Sequence, residues 1–276
     1  MAGKGIRLKN FNPYPKPLVK VLGKTIVEWS IETLGVGGNY IFCCKKEHIE
    51  KFKIDELLKK IVPDCKIISI DYQTKGTLQS VLEASELINN DDELIISDTD
   101  HYLKWNSEFF NKEIRNKEID GCVMVFPEEY TSDKCSYVKL DNQGYVIESA
   151  EKQPISKIAT VGVHYFKKGS DFVKYAKQMI DNGINFNNEY YVTPIYNLFI
   201  KSNKKIITYP VEKMWALGSP EEVNIFLKEF DYSIIKKIKK YELIILSISL
   251  DSSLTRYSAL SFFSNRLFLS RSVTRY

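Results

Sequence analysis

From residue 25 to about residue 126, apolar runs of strand length alternate with stretches whose apolar positions recur at helical spacing. TIVEWSIETL puts Ile26, Trp29, Ile31 and Leu34 near one helical face. NYIFCC and CKIISI read as strands, and EHIEKFKIDELLKKI and GTLQSVLEASELI each read as one helix. DELIISDTD is then a strand, NSEFFNKEIRN a helix and DGCVMVF a strand. Short buried strands alternating with amphipathic helices predict βαβ units in an α/β fold, with a mostly parallel central sheet flanked by helices. Ligands of such sheets collect outside the carboxyl ends of the strands, so chemistry is expected in the loops after them.

Beyond residue 126 the pattern changes. YVKLDNQGYVIESAEK predicts an antiparallel pair around the turn Asp141-Asn142-Gln143-Gly144. VGVHYF and KKIITYPVEKM read as further strands, with helices near SDFVKYAKQMI and YVTPIYNLFIKS. A last helix, PEEVNIFLKEF, starts at a Ser219-Pro220 cap. No Gly/Ser/Pro-rich spacer separates residues 1–126 from 127–240, so the second, mixed β/α half is expected to be built onto the first within one domain, 1–240.

Composition narrows the class. A chain of 276 residues with 44% hydrophobic and 27% charged residues buries a full core. The net charge of +4 suits an anionic small molecule, and no dense basic stripe interleaved with aromatics argues for nucleic acid. No apolar run approaches the ~20 residues of a membrane span, and no signal peptide is visible, so a cytoplasmic protein is expected. Five cysteines without a CxxC pair read as core residues rather than as a disulfide scaffold or zinc site. Residues 241–276 differ in kind: none of the 33 lysines lies beyond Lys240, whereas four of the six arginines (Arg256, Arg266, Arg271, Arg275) do. That tail reads either as a C-terminal helical appendage or as a segment foreign to the fold, and its composition favours the second.

Three stretches carry candidate chemistry. GKGIRLKN at the start is not a Walker loop, because Leu18 stands where the first glycine of the later Gly23-Lys24-Thr25 ending would be. It is not a Rossmann fingerprint either, because Leu8 replaces the third glycine. It remains a GxGxR loop followed by PKPL, with glycines that admit phosphate to the backbone and cations that neutralise it. QTKGTLQSV comes after the strand CKIISI; Thr77 either caps the helix it begins or faces a nucleobase beside Gln73. In ISDTDHYL, Asp98 and Asp100 close a buried strand, and strand alternation would place both on one side of the chain. Two such carboxylates repel unless a cation or basic group lies between them, and pairs of this type hold Mg²⁺ against phosphates. Lys152 and Glu189, taken singly, read as surface charges.

Together, MAGKGIR, PKPLVKV, QTKGT, SDTD, EKQP with ATVGVHYF, NNEYYVTPIYN and WALGSPEE resemble, in their order, the sugar-phosphate nucleotidyltransferases of the Rossmann-like GT-A fold, especially those of capsule and surface polysaccharide synthesis. The resemblance spans most of residues 1–230. It implies that Ala2, Gly3 and Gly5 line the nucleotide, with Arg7 and Lys16 on its phosphates. It further implies that Gln73, Gly76 and Thr77 face the base, and that Asp100, with Asp98 beside it, binds Mg²⁺. Lys152 would meet the phosphate of the sugar phosphate and Glu189 the sugar hydroxyls. Two departures stand out. The chain begins inside the first motif, so its first strand is expected to be missing and Met1 to be an internal methionine. Ala216 occupies the place of the family's second metal-ligand aspartate.

The reaction this implies joins a nucleotidyl group from an NTP to a sugar phosphate and releases pyrophosphate. The acceptor oxygen is already anionic, so positioning and charge neutralisation carry the catalysis. Two alternatives fit the residues: a glycosyltransferase using the Asp98/Asp100 pair on a nucleotide-sugar, and a non-catalytic nucleotide-binding relative.

Overall fold

A computed structural model describes residues 14–230 apart from 117, 128, 130 and 131. The glycine loop with Ala2, Gly3, Gly5 and Arg7 lies outside the described residues, as does the tail 241–276. Two compact units divide the chain, 1–227 and 228–276, and the second falls almost wholly outside them. Every described strand, and every described helix save the end of the last, belongs to the first unit.

The chain enters through a 3-10 turn, Lys16–Leu18, and a two-stranded hairpin of β1 (Lys20–Val21) and β2 (Lys24–Thr25). Positive φ at both Leu22 (52°) and Gly23 (86°) gives the hairpin the twist that short antiparallel ribbons need. Helix α1 (Ile26–Leu34) starts with a capping box between Thr25 and Glu28 and stops at Gly35 in the left-handed region. Strand β3 (Ile41–Lys45) pairs in parallel with β4 (Lys66–Ile70). Between them the single expected helix is two, α2 (Lys46–Phe52) and α3 (Ile54–Ile61), because Lys53 adopts φ 53° and breaks the i→i−4 ladder. GTLQSVLEASELI likewise divides into α4 (Thr77–Leu82) and α5 (Ser85–Ile88).

Next come β5 (Leu94–Ser97), β6 (His101–Lys104), α6 (Ser107–Asn116) and β7 (Gly121–Val125). The expected antiparallel pair is β8 (Ser136–Leu140) with β9 (Val146–Glu151). Its turn is held by Asp141 Oδ1, which accepts from the N–H groups of Gln143 (2.8 Å) and Tyr145 (2.9 Å). The order closes with β10 (Thr160–Phe166), α7 (Gly169–Asp181), a 3-10 turn Thr193–Ile195, α8 (Tyr196–Lys201), β11 (Ile206–Pro210), β12 (Lys213–Ala216) and α9 (Pro220–Glu229). The expected strand KKIITYPVEKM is thus two, in different sheets. Ser219 caps α9 by accepting the N–H of Glu222 at 3.3 Å.

The α/β class holds, but the central four-stranded sheet, in the order β11-β7-β10-β5, is mixed rather than mostly parallel. β11 and β7 run parallel, and β10 lies antiparallel to both β7 and β5. A strand buried on both faces reads as one apolar run in either direction, so VGVHYF gave no hint of its sense. Alternation along β7 sends Val123 and Val125 into a core with Ile96, Phe166, Phe172, Tyr196 and Phe199. Cys122 and Met124 face the opposite core with Leu103, Phe110, Val163 and Tyr165. Each fully buried side chain of this size contributes about 1.5–3 kcal/mol. A third cluster, of Val27, Phe42, Cys44, Ile54, Leu58 and Cys65, lies under the β3–β4 pair. Burial raises the thiols of Cys43 and Cys44. Among the described residues no helix is long and apolar enough to cross a membrane.

Candidate active site

The site grows from the turn between β5 and β6. β5 ends at Ser97, so Asp98 and Asp100 belong to a turn, not to the strand, and alternation is not what brings them together. Asp98 N–H donates to the Gly162 carbonyl at 2.9 Å. Gly162 has φ 75°, and a Cβ there would lie 3.1 Å from Asp98 Cγ and nearer still to Oδ2, so only glycine lets β10 pass this close. Across the turn, Leu217 N–H donates to the Asp100 carbonyl at 2.7 Å, and Ala216 pairs with His101 in the antiparallel β12–β6 ribbon. The WALGSP segment is thereby stitched to the aspartate turn.

Lys16, on a 3-10 turn stiffened by Pro15 and Pro17, forms an ion pair with Asp100. The basic group that a carboxylate pair requires is therefore present. Desolvation, and then the Asp100 charge, hold the Asp98 carboxyl above the usual carboxylate range, and Lys16 opposes the rise. Gly218 completes this corner. A Cβ on it would stand 2.9 Å from Asp100 Oδ2, 3.1 Å from Glu222 Oε2 and 3.3 Å from Lys16 Nζ. Glu222 Oε2 also accepts the Gly218 N–H at 2.9 Å.

A second set of side chains gathers just after β9. Lys152, with φ 52°, comes directly after β9 and donates to the Tyr191 hydroxyl at 2.5 Å, with its ammonium 4.2 Å from the ring centre. Tyr191 in turn donates to Glu189 at 2.5 Å. Glu151, its side chain only 5% exposed, lies 3.8 Å from Lys152 and accepts from Ser136 Oγ. Burial lifts the Glu151 carboxyl above its ordinary range, while the Ser136 bond and Lys152 oppose that. Burial, and then the bond to Glu189, raise the Tyr191 hydroxyl, and the Glu151 and Asp98 charges add to the rise.

The QTKGT loop packs against residue 190, next to Tyr191. Gly76, not Thr77, takes the N-cap position of α4, so Thr77 does not cap it. Lys75 and Leu78 clasp residue 190: Tyr190 N–H donates to the Lys75 carbonyl (2.6 Å) and Leu78 N–H to the Tyr190 carbonyl (3.1 Å). Gln73 accepts from Lys45 Nζ at 3.2 Å, and Gln73 and Thr77 are both exposed. Sequence reasoning missed Tyr191, Glu151 and Glu222. Only Glu222 left a local trace, the Ser219-x-x-Glu222 capping pattern, and that trace signals a helix start rather than a site.

The resemblance implies a divalent cation, and the donor set bears on it. Among the described residues no three His, Cys, Asp or Glu side chains form a metal-holding group. Mg²⁺, however, is typically bound by one or two carboxylates together with substrate phosphates. Carboxylate oxygens around a side-chain-free glycine fit that pattern.

Carboxylates and lysines thus converge at the carboxyl end of an α/β strand, where ligands of such sheets bind. The chain belongs to the nucleotidyl transferase family, whose profile matches residues 1–192. Curated relatives include the bifunctional protein GlmU of Thermotoga sp. (strain RQ2), 26% identical over 198 residues, covering 71% of this chain. The GlmU of Methanocaldococcus jannaschii is 28% identical over 177 residues, 60% of this chain and 38% of its own length. The chain spans about 42% of the length of the Thermotoga relative. Among solved structures, a nucleoside-diphosphate-sugar pyrophosphorylase from Vibrio cholerae RC9 superposes with a TM-score of 0.71 at 20% identity, over 83% of this chain and 98% of that one. A UDP-glucose pyrophosphorylase complexed with UDP-glucose gives 0.64 at 18% identity, over 82% and 96%. These likenesses confirm the fold, and the family membership favours nucleotidyl over glycosyl transfer.

Proposed function

We propose that this chain transfers a nucleotidyl group from an NTP to a sugar phosphate, with release of pyrophosphate, as a step toward surface polysaccharide in the cytoplasm. The observation that carries the reading is the presence of two lysine sets: Lys16 ion-paired with Asp100, and Lys152 donating to Tyr191, which donates to Glu189. Two separated cationic anchors suit two phosphorylated substrates. Relatives named as pyrophosphorylases and as GlmU point the same way.

In this reading a phosphate oxygen of the acceptor forms a bond to the α-phosphorus, and the bond from that phosphorus to the bridging oxygen breaks. The leaving pyrophosphate carries the electron pair. Lys16 and Arg7 neutralise the triphosphate, and Ala2, Gly3 and Gly5 offer backbone contact to the nucleotide. Gln73, Gly76 and Thr77 face the base, Lys152 holds the acceptor phosphate and Glu189 the sugar hydroxyls. Mg²⁺ held through Asp100, with Asp98 beside it, would supply further charge neutralisation at the phosphates. No proton need be removed from the nucleophile, which fits a site with lysines and carboxylates where the adjacent imidazole, His101, is driven down to about 4 by burial.

The test is pyrophosphate release across a panel of four NTPs and several sugar 1-phosphates with added Mg²⁺. One pair is expected to turn over, and Asp100→Ala to lower its rate by about a hundredfold or more. Full turnover by Asp100→Ala would sink the metal role. No turnover with any pair would sink the reading.

A further inference from the structure

Resting on the nucleotidyl-transfer reading, we propose that Tyr191 is the positioning residue of the acceptor side, its hydroxyl holding Lys152 and Glu189 at a fixed spacing to receive one sugar phosphate. The backbones that carry these side chains are locked to each other. Ser149, on β9, donates through Oγ to the Thr193 carbonyl at 3.0 Å. The Asn197 side chain accepts the Ser149 N–H at 2.8 Å and donates to its carbonyl at 2.7 Å. Lys152 N–H donates to the Cys135 carbonyl at 3.0 Å. On the facing segment, Phe186 and Glu189 exchange backbone bonds of 2.9 and 3.0 Å around a two-residue turn. Asn187 and Asn188 take φ 50° and 62° there, as a turn of type I′ requires. Tyr190 is then clasped by Lys75 and Leu78, directly before Tyr191.

A fixed backbone does not by itself fix a lysine or a glutamate, whose side chains have several rotatable bonds. The phenol links them. It accepts from Lys152 Nζ and donates to Glu189, each bond 2.5 Å long, which keeps the ammonium and the carboxylate oxygen within about 5 Å of each other. A hydroxyl is suited to this place because it accepts and donates at once, whereas a second lysine or carboxylate could do only one. Burial and the bond to Glu189 raise the phenol, so it keeps the proton that it gives to Glu189. The ammonium also lies 4.2 Å from the Tyr191 ring centre and 5.6 Å from that of Phe186, and aromatic faces attract a cation. Of the three N–H donors on Nζ, the phenol takes one and leaves the others for phosphate oxygens. The competing role is packing alone, which phenylalanine would fill as well as tyrosine does.

The experiment is steady-state kinetics of the full chain with the NTP and sugar 1-phosphate that turn over in the panel. Tyr191→Phe keeps the ring and removes the hydroxyl. It is expected to raise the KM for the sugar phosphate about tenfold, as loss of a charge-assisted hydrogen bond does, with the KM for the NTP within about twofold. Lys152 grips the acceptor before and during transfer alike, so kcat is expected to move by less than about threefold. In the Lys152→Met background the same substitution should add far less than its single effect, because the hydroxyl acts through that lysine. Tyr191→His at pH 8, whose neutral ring has one acceptor and one donor nitrogen, is expected to bind the sugar phosphate better than Tyr191→Phe; it also tests the proposal should the Phe variant melt early. An unchanged sugar-phosphate KM in Tyr191→Phe overturns the proposal, as does Phe outperforming His, or a Phe effect that multiplies fully with that of Lys152→Met. Each of these leaves the nucleotidyl-transfer reading intact. Wild-type protein that turns over no pair sinks that reading, and this proposal with it.

Discussion

Replacing Gly76 with alanine tests the clasp between the QTKGT loop and the acceptor-side segment. The backbone there has φ 108° and ψ 175°, a region essentially reserved for glycine, and forcing a side chain into it costs about 1–3 kcal/mol. The methyl would also stand 2.7 Å from Tyr190 N and 2.9 Å from Tyr190 C, and nearer still to the carbonyl oxygen. These are backbone atoms, which cannot swing aside, so crowding adds about 1–3 kcal/mol more. The total of about 2–6 kcal/mol corresponds to a fall in thermal midpoint of about 5–20 °C for a unit of this size. Gly144→Ala is the control, since its φ of 86° is also positive but nothing lies within 4 Å of the added Cβ. It should cost only about 1–2 kcal/mol. Differential scanning calorimetry on the two variants separates strain from crowding. If Gly76→Ala melts no lower than Gly144→Ala, the close approach of residues 76 and 190 is refuted. If folded Gly76→Ala remains usable in assays, the KM values for both substrates are expected to rise, because residue 190 adjoins the acceptor-side Tyr191.

Lys152→Met removes the ammonium held by Tyr191 and is expected to raise the KM for the sugar phosphate by about tenfold or more, the worth of a charge-assisted hydrogen bond, while the KM for the NTP stays within about twofold. A rise confined to the NTP would place Lys152 on the wrong substrate. His164, on β10, is buried with Nδ1 lacking a hydrogen-bond partner, and burial drives its imidazole down to about 3. Its folded value is below the unfolded one of about 6.5, so the unfolded chain takes the proton first as pH falls. The stability it leaves intact above pH 6.5 is lost progressively below that, by about 2 kcal/mol between pH 7 and pH 5. Urea unfolding of His164→Leu should show that much less loss over the same interval, and parallel pH dependence in the two proteins would contradict the burial of the ring.

What could be read from the chain and what could not divide by the range of the interactions concerned. Helix α1 was readable because its cap, its apolar face and its stop at Gly35 are all local, as were the Asp141–Gly144 turn and the Ser219 cap. The break at Lys53 was not, because a lysine carries no preference for φ 53° and only the packing of Ile54 and Leu58 under β3–β4 requires it. The direction of β10 was hidden for the same reason, since both of its faces are buried and its sequence has no side to show.

The site obeys the same division. Asp98 and Asp100 were visible as carboxylates at a strand end, but strand alternation is not what joins them. The chain turns at Ser97, and partners far along the sequence hold each aspartate: Gly162 beside Asp98, Lys16 and the Gly218 segment beside Asp100. Lys152 and Glu189 each looked like surface charges because the group joining them, Tyr191, is a hydroxyl whose purpose appears only when β9 and the 189–191 segment meet. The glycines make the strongest case. Gly76, Gly162 and Gly218 lie in three separate motifs, and each is fixed by an atom brought close by the fold: Tyr190 backbone, the Asp98 carboxyl, and the Asp100 and Glu222 carboxylates. A glycine in sequence announces only freedom. In this fold each of the three marks where a distant part of the chain comes too close for any side chain.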